Sequence, residues 1–164
     1  MIVILMGVMG TGKTTVAKEL QAVTGWEYAE GDDYHSEANK AKMRSGIPLT
    51  DEDRWPWLDS LHSVLKGWED AGKSGILTCS ALKQAYRDRL VNALPAGSWR
   101  FVSLDVPREE LVRRLSSRKG HYMNPGLLDS QLATLEDPKD ALRVDATGAE
   151  PEIAERVLKA LNEK

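Results

Sequence analysis

A chain of 164 residues fits one compact unit at about 150 residues per domain. Its 41% hydrophobic and 29% charged residues are those of a globular protein that buries a core without disulfide or metal staples. Lys and Arg total 22 against 25 for Asp and Glu, a net charge of −3, the wrong sign for a whole surface that grips nucleic acid or an anionic membrane.

Ile2 to Met6 is a continuous apolar run with β-branched residues, as in a strand buried on both faces of a parallel sheet. It is read as part of the fold, because no basic leader or cleavage site accompanies it, and no stretch approaches the roughly 18 apolar residues of a membrane helix. Val16, Ala17, Leu20 and Val23 then predict a helix from Lys13 that Gly25 closes. Residues 26–29 predict a second strand and residues 36–44 a helix stopped by Gly46 and Pro48. Over residues 55–71, Trp57, Leu58, Leu61, Val64, Leu65 and Trp68 form a helical stripe that faces the core.

Residues 76–79 predict a buried strand, 84–93 a helix, 100–104 a strand and 108–118 a helix opened by Pro107. A last strand over 142–145 precedes a helix over 151–161 with Ile153, Ala154, Val157, Leu158 and Leu161 on one face. This alternation predicts an α/β domain with a mostly parallel sheet, spanning residues 1–164 without repeat or linker. The single cysteine, Cys79, excludes an internal disulfide and a multi-thiolate zinc centre and points to a reducing, cytoplasmic setting. It is read as a small core residue.

Gly7, Val8, Met9, Gly10, Thr11, Gly12, Lys13 and Thr14 fit G-x-x-x-x-G-K-[ST] and lie between a predicted strand and a predicted helix, the context the motif requires. Glycines let the backbone curl until successive N–H groups point inward, and the helix N-terminus adds partial positive charge. Lys13 is assigned to the β- and γ-phosphates of ATP and the Thr14 hydroxyl to Mg²⁺. The loop alone does not separate hydrolysis, phosphoryl transfer and switching. Asp145-Ala-Thr-Gly148 matches the switch element D-x-x-G only formally, being placed after the last strand as a loop near the nucleotide base, and Asn39-Lys-Ala-Lys42 lacks the aspartate of N-K-x-D.

Glu30 and Asp32 stand two apart at the C-terminal end of the second strand, the edge where ligands bind in open α/β folds. One carboxylate there can take the proton of an attacking hydroxyl while another holds a water of the metal shell. The same residues equally suit an acidic turn that caps the next helix.

Together with the phosphate-binding loop, five blocks now resemble the gluconokinase family of P-loop small-molecule kinases: Glu30-Gly-Asp-Asp-Tyr-His35, Lys42-Met-Arg-Ser-Gly-Ile-Pro-Leu-Thr-Asp-Glu-Asp-Arg-Trp-Pro-Trp-Leu58, Cys79-Ser-Ala-Leu-Lys-Gln-Ala-Tyr-Arg-Asp88, Arg118-Lys-Gly-His-Tyr122 and Ser130-Gln-Leu-Ala-Thr-Leu-Glu-Asp-Pro138. The resemblance implies an α/β, nucleoside-monophosphate-kinase-like three-layer fold with a five-stranded parallel sheet ordered 2-3-1-4-5. It also implies an acceptor-binding helical segment at about residues 33–58 and a mobile lid at about residues 118–127. The implied activity is ATP- and Mg²⁺-dependent phosphorylation of D-gluconate at C6, with a homodimer as the assembly and neither nucleic acid nor membrane as a partner. Glu30 departs from the aspartate often found there, and is left out of the firm assignments.

Gluconate is an anion with a row of hydroxyls, so its site needs a cation and several hydrogen-bonding groups. Arg54, Lys83 and Arg87 are the candidate cations, Arg54 and Arg87 ahead of Lys83, each weighed against an ordinary solvated charge. His35 either bonds an acceptor hydroxyl or stabilises its turn, and Ser80 is placed in the same pocket. Asp32 is the candidate base. Arg114 and Arg118, one helical turn apart, resemble arginines that a closing lid brings to the transferred phosphoryl group, with an exposed basic helix face as the alternative. Trp55, Trp57 and Trp68 are assigned to core or hinge packing, and Gln131 and Glu136 receive no chemical role. The rivals are a shikimate kinase, disfavoured because Cys79-Ser-Ala-Leu-Lys83 replaces that family's glycine triplet, a nucleoside monophosphate kinase, and a nucleotide-sensing module without catalysis.

Overall fold

All five side chains of β1 (Ile2–Met6) are buried, because this strand lies at the centre of the sheet and is covered on both faces. In the computed structural model, which describes residues 1–117 and 125–162, β1 pairs in parallel with β3 (Gly75–Thr78) on one side and β4 (Trp99–Asp105) on the other. β2 (Glu27–Glu30) extends the sheet beyond β3 and β5 (Leu142–Asp145) beyond β4, giving the order β2-β3-β1-β4-β5. The implied five-stranded parallel sheet and its strand order are those observed.

Strand alternation divides the core into two halves. Val3 and Leu5 pack with α1 (Lys13–Thr24) and α7 (Glu150–Asn162), whose Val16, Leu20, Ile153 and Val157 are buried. Ile2, Ile4 and Met6 face the other half, built by α3 (Asp51–Asp70), α4 (Gln84–Val91), α5 (Arg108–Ser117) and α6 (Pro125–Thr134). Fully burying each such side chain contributes about 1.5–3 kcal/mol. The short α2 (Glu37–Arg44) bridges from β2 to α3. Among the described residues, no helix is long and apolar enough to cross a membrane.

Two elements depart from the sequence reading. α3 begins at Asp51 rather than near Trp55. A capping box sets this start: Thr50 Oγ1 accepts from the Asp53 N–H at 3.1 Å and Asp53 Oδ2 accepts from the Thr50 N–H at 2.9 Å. Pro56 inside the helix disguised that extra turn. The other is α6, which was not predicted, since Pro125-Gly126 reads as a breaker although proline suits a first helical position. Residues 125–127, assigned above to the lid, are therefore its first turn. The rest of that segment, with Arg118 and the Lys119-Gly-His-Tyr122 run, lies outside the described residues.

Candidate active site

Gly12 is the N-cap of α1 and takes a left-handed backbone, φ 91°, which a residue with a Cβ adopts only under strain. The phosphate loop thereby turns straight into the helix, whose N-terminus is the end that favours an anion. Lys13 Nζ folds back across the loop, donating to the carbonyls of Gly7 at 2.9 Å and Val8 at 3.1 Å. Behind the loop, Arg114 donates to the carbonyls of Gly10 at 3.2 Å and Ala146 at 2.7 Å. Arg114 thus ties α5 to the phosphate loop and to the turn after β5, and the exposed arginines of that helix are Arg108, paired with Asp129, and Arg113, paired with Glu110.

Glu30 closes the loop's other flank. Its Oε2 accepts from the Thr14 hydroxyl and from the Tyr28 hydroxyl, each at 2.6 Å. Burial, reinforced by the Glu30 carboxylate, holds Tyr28 protonated far above its usual range. A hydroxyl and a carboxylate side by side next to a phosphate loop fit a hard divalent cation, which takes most of its oxygens from phosphate and water. Among the described residues no group of three or more His, Cys, Asp or Glu forms a metal cage.

Gly31 lets the next turn press against β3: a Cβ there would collide with the Thr78 carbonyl, while the Gly31 N–H donates to Thr78 Oγ1 at 3.1 Å. That turn, a 3₁₀ helix over Gly31–Tyr34, carries Asp32 into a cavity of about 690 Å³ shared with Met9 and Lys13 of the phosphate loop. Desolvation by the cavity wall raises the Asp32 carboxyl pKa and Lys13 partly offsets it, leaving a better base than an ordinary carboxylate.

His35, Arg54 and Ser80 line the same cavity, so the structure brings them together with Asp32 and Lys13. Arg54 is held there by bonds to the Leu49 carbonyl at 2.7 Å and the Tyr86 hydroxyl at 3.0 Å. Two expectations need correction. Lys83 is absent from the cavity wall and pairs with Asp51 at 3.2 Å, outside the pocket. Arg87 is buried, and its guanidinium donates to the carbonyls of Ala81, Leu82 and Glu136 at 2.8, 3.1 and 2.6 Å. It braces the turn after β3, where Ala81 has a positive φ of 49°, and does not face the cavity. Three of its five N–H groups are taken by these carbonyls and Nη1 reaches Gln84 Oε1 at 3.4 Å, so the side chain is spent chiefly on the turn. Cys79 is buried with its thiol pushed up to about 12, mainly by desolvation, as suits a core residue.

Sequence reasoning gave no role to Lys40, Arg44 or Gln131, all of which line the cavity. Lys40 and Arg44 stand four apart on α2, a spacing that shares one helix face and was available as a signal. With Lys13 and Arg54 they make four cations against Asp32 and Asp33, a local balance of 4 − 2 = +2 in a chain of net −3. Gln131, from the unpredicted α6, accepts from the Met9 N–H at 2.7 Å and lines the wall. Its neighbour in the same block, Glu136, accepts from the Gln84 N–H at 2.9 Å and so caps α4. Trp57 is core and wall at once, buried, stacked on His35 and lining the cavity.

Comparison with known proteins agrees with this geometry. The family model described as AAA domain matches residues 3–134. The gluconokinase of Gluconobacter oxydans (strain 621H) is 51% identical over 138 residues, which span 84% of this chain and 76% of that protein. Among solved structures, an unliganded sugar kinase from Janibacter sp. HTCC2649 superposes with a TM-score of 0.89 at 48% identity, covering 98% of this chain and 94% of that one. A gluconokinase from Sinorhizobium meliloti 1021 superposes with a TM-score of 0.87 at 39% identity, covering 97% and 90%. With these likenesses over most of its length, beside a phosphate-binding loop that shares one cavity with Asp32 and four cations, the chain belongs to the gluconokinase family.

Proposed function

We propose that this chain transfers the γ-phosphoryl group of ATP to the C6 hydroxyl of D-gluconate, giving 6-phospho-D-gluconate and ADP. The observation that carries the reading is the single cavity in which the phosphate loop, Asp32 and a net positive wall meet. The loop N–H groups and Lys13 hold the phosphates and stabilise charge on the transferring group. Thr14 and Glu30 are the residues that would hold Mg²⁺, which supplies charge neutralisation at the phosphates when bound.

Asp32 orients the acceptor hydroxyl and takes its proton as the new O–P bond forms. Arg54, Lys40 and Arg44 receive the gluconate carboxylate, Arg54 as a pre-organised clasp because its guanidinium is already held by Leu49 and Tyr86. His35 and Ser80 serve the hydroxyl row. Arg114 keeps the phosphate loop and the turn after β5 in register, and Arg118, in the segment that the family resemblance makes a lid, is assigned to the transferring phosphoryl group. Lid closure would exclude water as a competing acceptor. A homodimer and a cytoplasmic setting belong to the same reading, the former checked by light scattering.

The test is ADP release measured with gluconate, shikimate, other sugar acids and nucleoside monophosphates as acceptors. Release stimulated by gluconate is expected. Release with shikimate alone, or none with any acceptor, overturns the assignment.

A further inference from the structure

His35 is held in the acceptor cavity by two contacts of different kinds. Its ring stacks on Trp57, centroids 4.1 Å apart and planes 18° from parallel, and Trp57 is itself fixed by a bond from Nε1 to the Gly31 carbonyl at 2.8 Å. Its Nδ1 lies 3.3 Å from Asn39 Nδ2. Asn39 is 5% exposed and sits in the first turn of α2, where its N–H donates to the Ser36 hydroxyl that caps the helix.

The same Nδ2 donates to the Asp53 carbonyl at 2.8 Å. That bond decides which way round the amide stands, since the flipped amide would set its oxygen against a carbonyl oxygen. With Nδ2 towards the ring, Nδ1 can only accept, so a neutral imidazole carries its proton on Nε2.

We propose that Asn39 is a positioning residue that holds His35 as the neutral, Nε2-protonated tautomer, so that the acceptor cavity presents an uncharged hydrogen-bond donor to a substrate hydroxyl oxygen. The role of that donor towards gluconate rests on the function proposed above. A donor without charge suits this place, because the cavity is already net positive and a further cation would compete with Arg54 for the carboxylate.

Charge around the ring favours the neutral form. Burial, then Arg54 from α3 and Lys40 from α2, lower the His35 pKa to about 4. Lys13 and Arg44 face the same cavity, Asp32 and Asp33 come from the preceding turn, and the Asp53 carboxylate is engaged by Lys42 at 2.7 Å.

Nitrogen-15 NMR of His35 in the wild-type protein tests the tautomer without substrate. The expected result is a ring protonated on Nε2 that does not titrate between about pH 5.5 and 8. A ring protonated on Nδ1, or a midpoint near the ordinary value of about 6.5, overturns the proposal. Asn39→Asp replaces the donor by an acceptor, so the proton should move to Nδ1, the midpoint should rise, and kcat/KM for gluconate should gain an ionisation in that interval. Unchanged His35 titration in folded Asn39→Asp also overturns it.

If that variant does not fold, the pair His35→Phe and His35→Gln decides. Phe keeps the stack and loses the donor, and should lower kcat/KM for gluconate about tenfold or more, chiefly through KM. Gln restores an N–H and should recover most of the loss, whereas equal loss in both overturns the proposal. An Nε2-protonated ring in an enzyme that ignores gluconate would sustain the lock and refute the kinase reading, so the two fail separately.

Discussion

At Asp32 the needs of folding and of chemistry oppose each other. Desolvation raises its pKa in the folded state, so the folded chain binds that proton more tightly than the unfolded one. The charged form therefore costs stability, fully absent below the unfolded pKa and fully present once pH has risen through the folded pKa. Asp32→Asn should lower kcat by about 10²–10⁴-fold while leaving Tm at pH 7 unchanged or higher, as read by calorimetry. Because only the ionised carboxyl accepts a proton, the acid limb of kcat/KM should lie above the ordinary carboxylate range and vanish in that variant. Lys13→Ala should reduce kcat by about 10³-fold or more with the far-ultraviolet spectrum intact.

Single elements deliver these groups to the cavity, and their ends matter more than their middles. The Thr50–Asp53 capping box starts α3 at a point that presents the Asp53 carbonyl to Asn39 and Arg54 to the cavity. Thr50→Ala should cost about 1 kcal/mol by denaturant unfolding and raise KM for gluconate, since the cap also orients the acceptor wall. Arg87 discriminates between two roles. As a brace of three carbonyls, its replacement by Ala should destabilise the fold by about 2–4 kcal/mol with kcat/KM of the folded fraction little changed. A tenfold rise in KM for gluconate without loss of Tm would instead restore Arg87 to the acceptor site.

For the whole molecule, the average charge conceals the arrangement that matters. A chain of net −3 gathers Lys13, Lys40, Arg44 and Arg54 around one cavity from the loop, α2 and α3. Attraction of an anionic acceptor should weaken as salt screens these charges, so KM for gluconate should rise with ionic strength more than kcat falls. A flat response would mean that the cations are spent on internal pairs.

Local pattern was enough to read the phosphate loop, the central strand, the α/β alternation and the helices α1 and α7, since each is specified by neighbours in the chain. The family resemblance supplied the strand order and the acceptor. What only the tertiary structure decided lies where distant segments compete for one side chain. Arg87 and Lys83 have the chemistry to bind a carboxylate, yet buried carbonyls claim the first and Asp51 the second. Glu30, doubtful for its extra methylene, reaches Thr14, and Gln131 meets a loop amide 122 positions away in the chain. Residue type sets what a group can bind. Which partner it does bind follows from what the fold brings within reach, and at a group removed from water, as Arg87 is, that partner becomes obligatory.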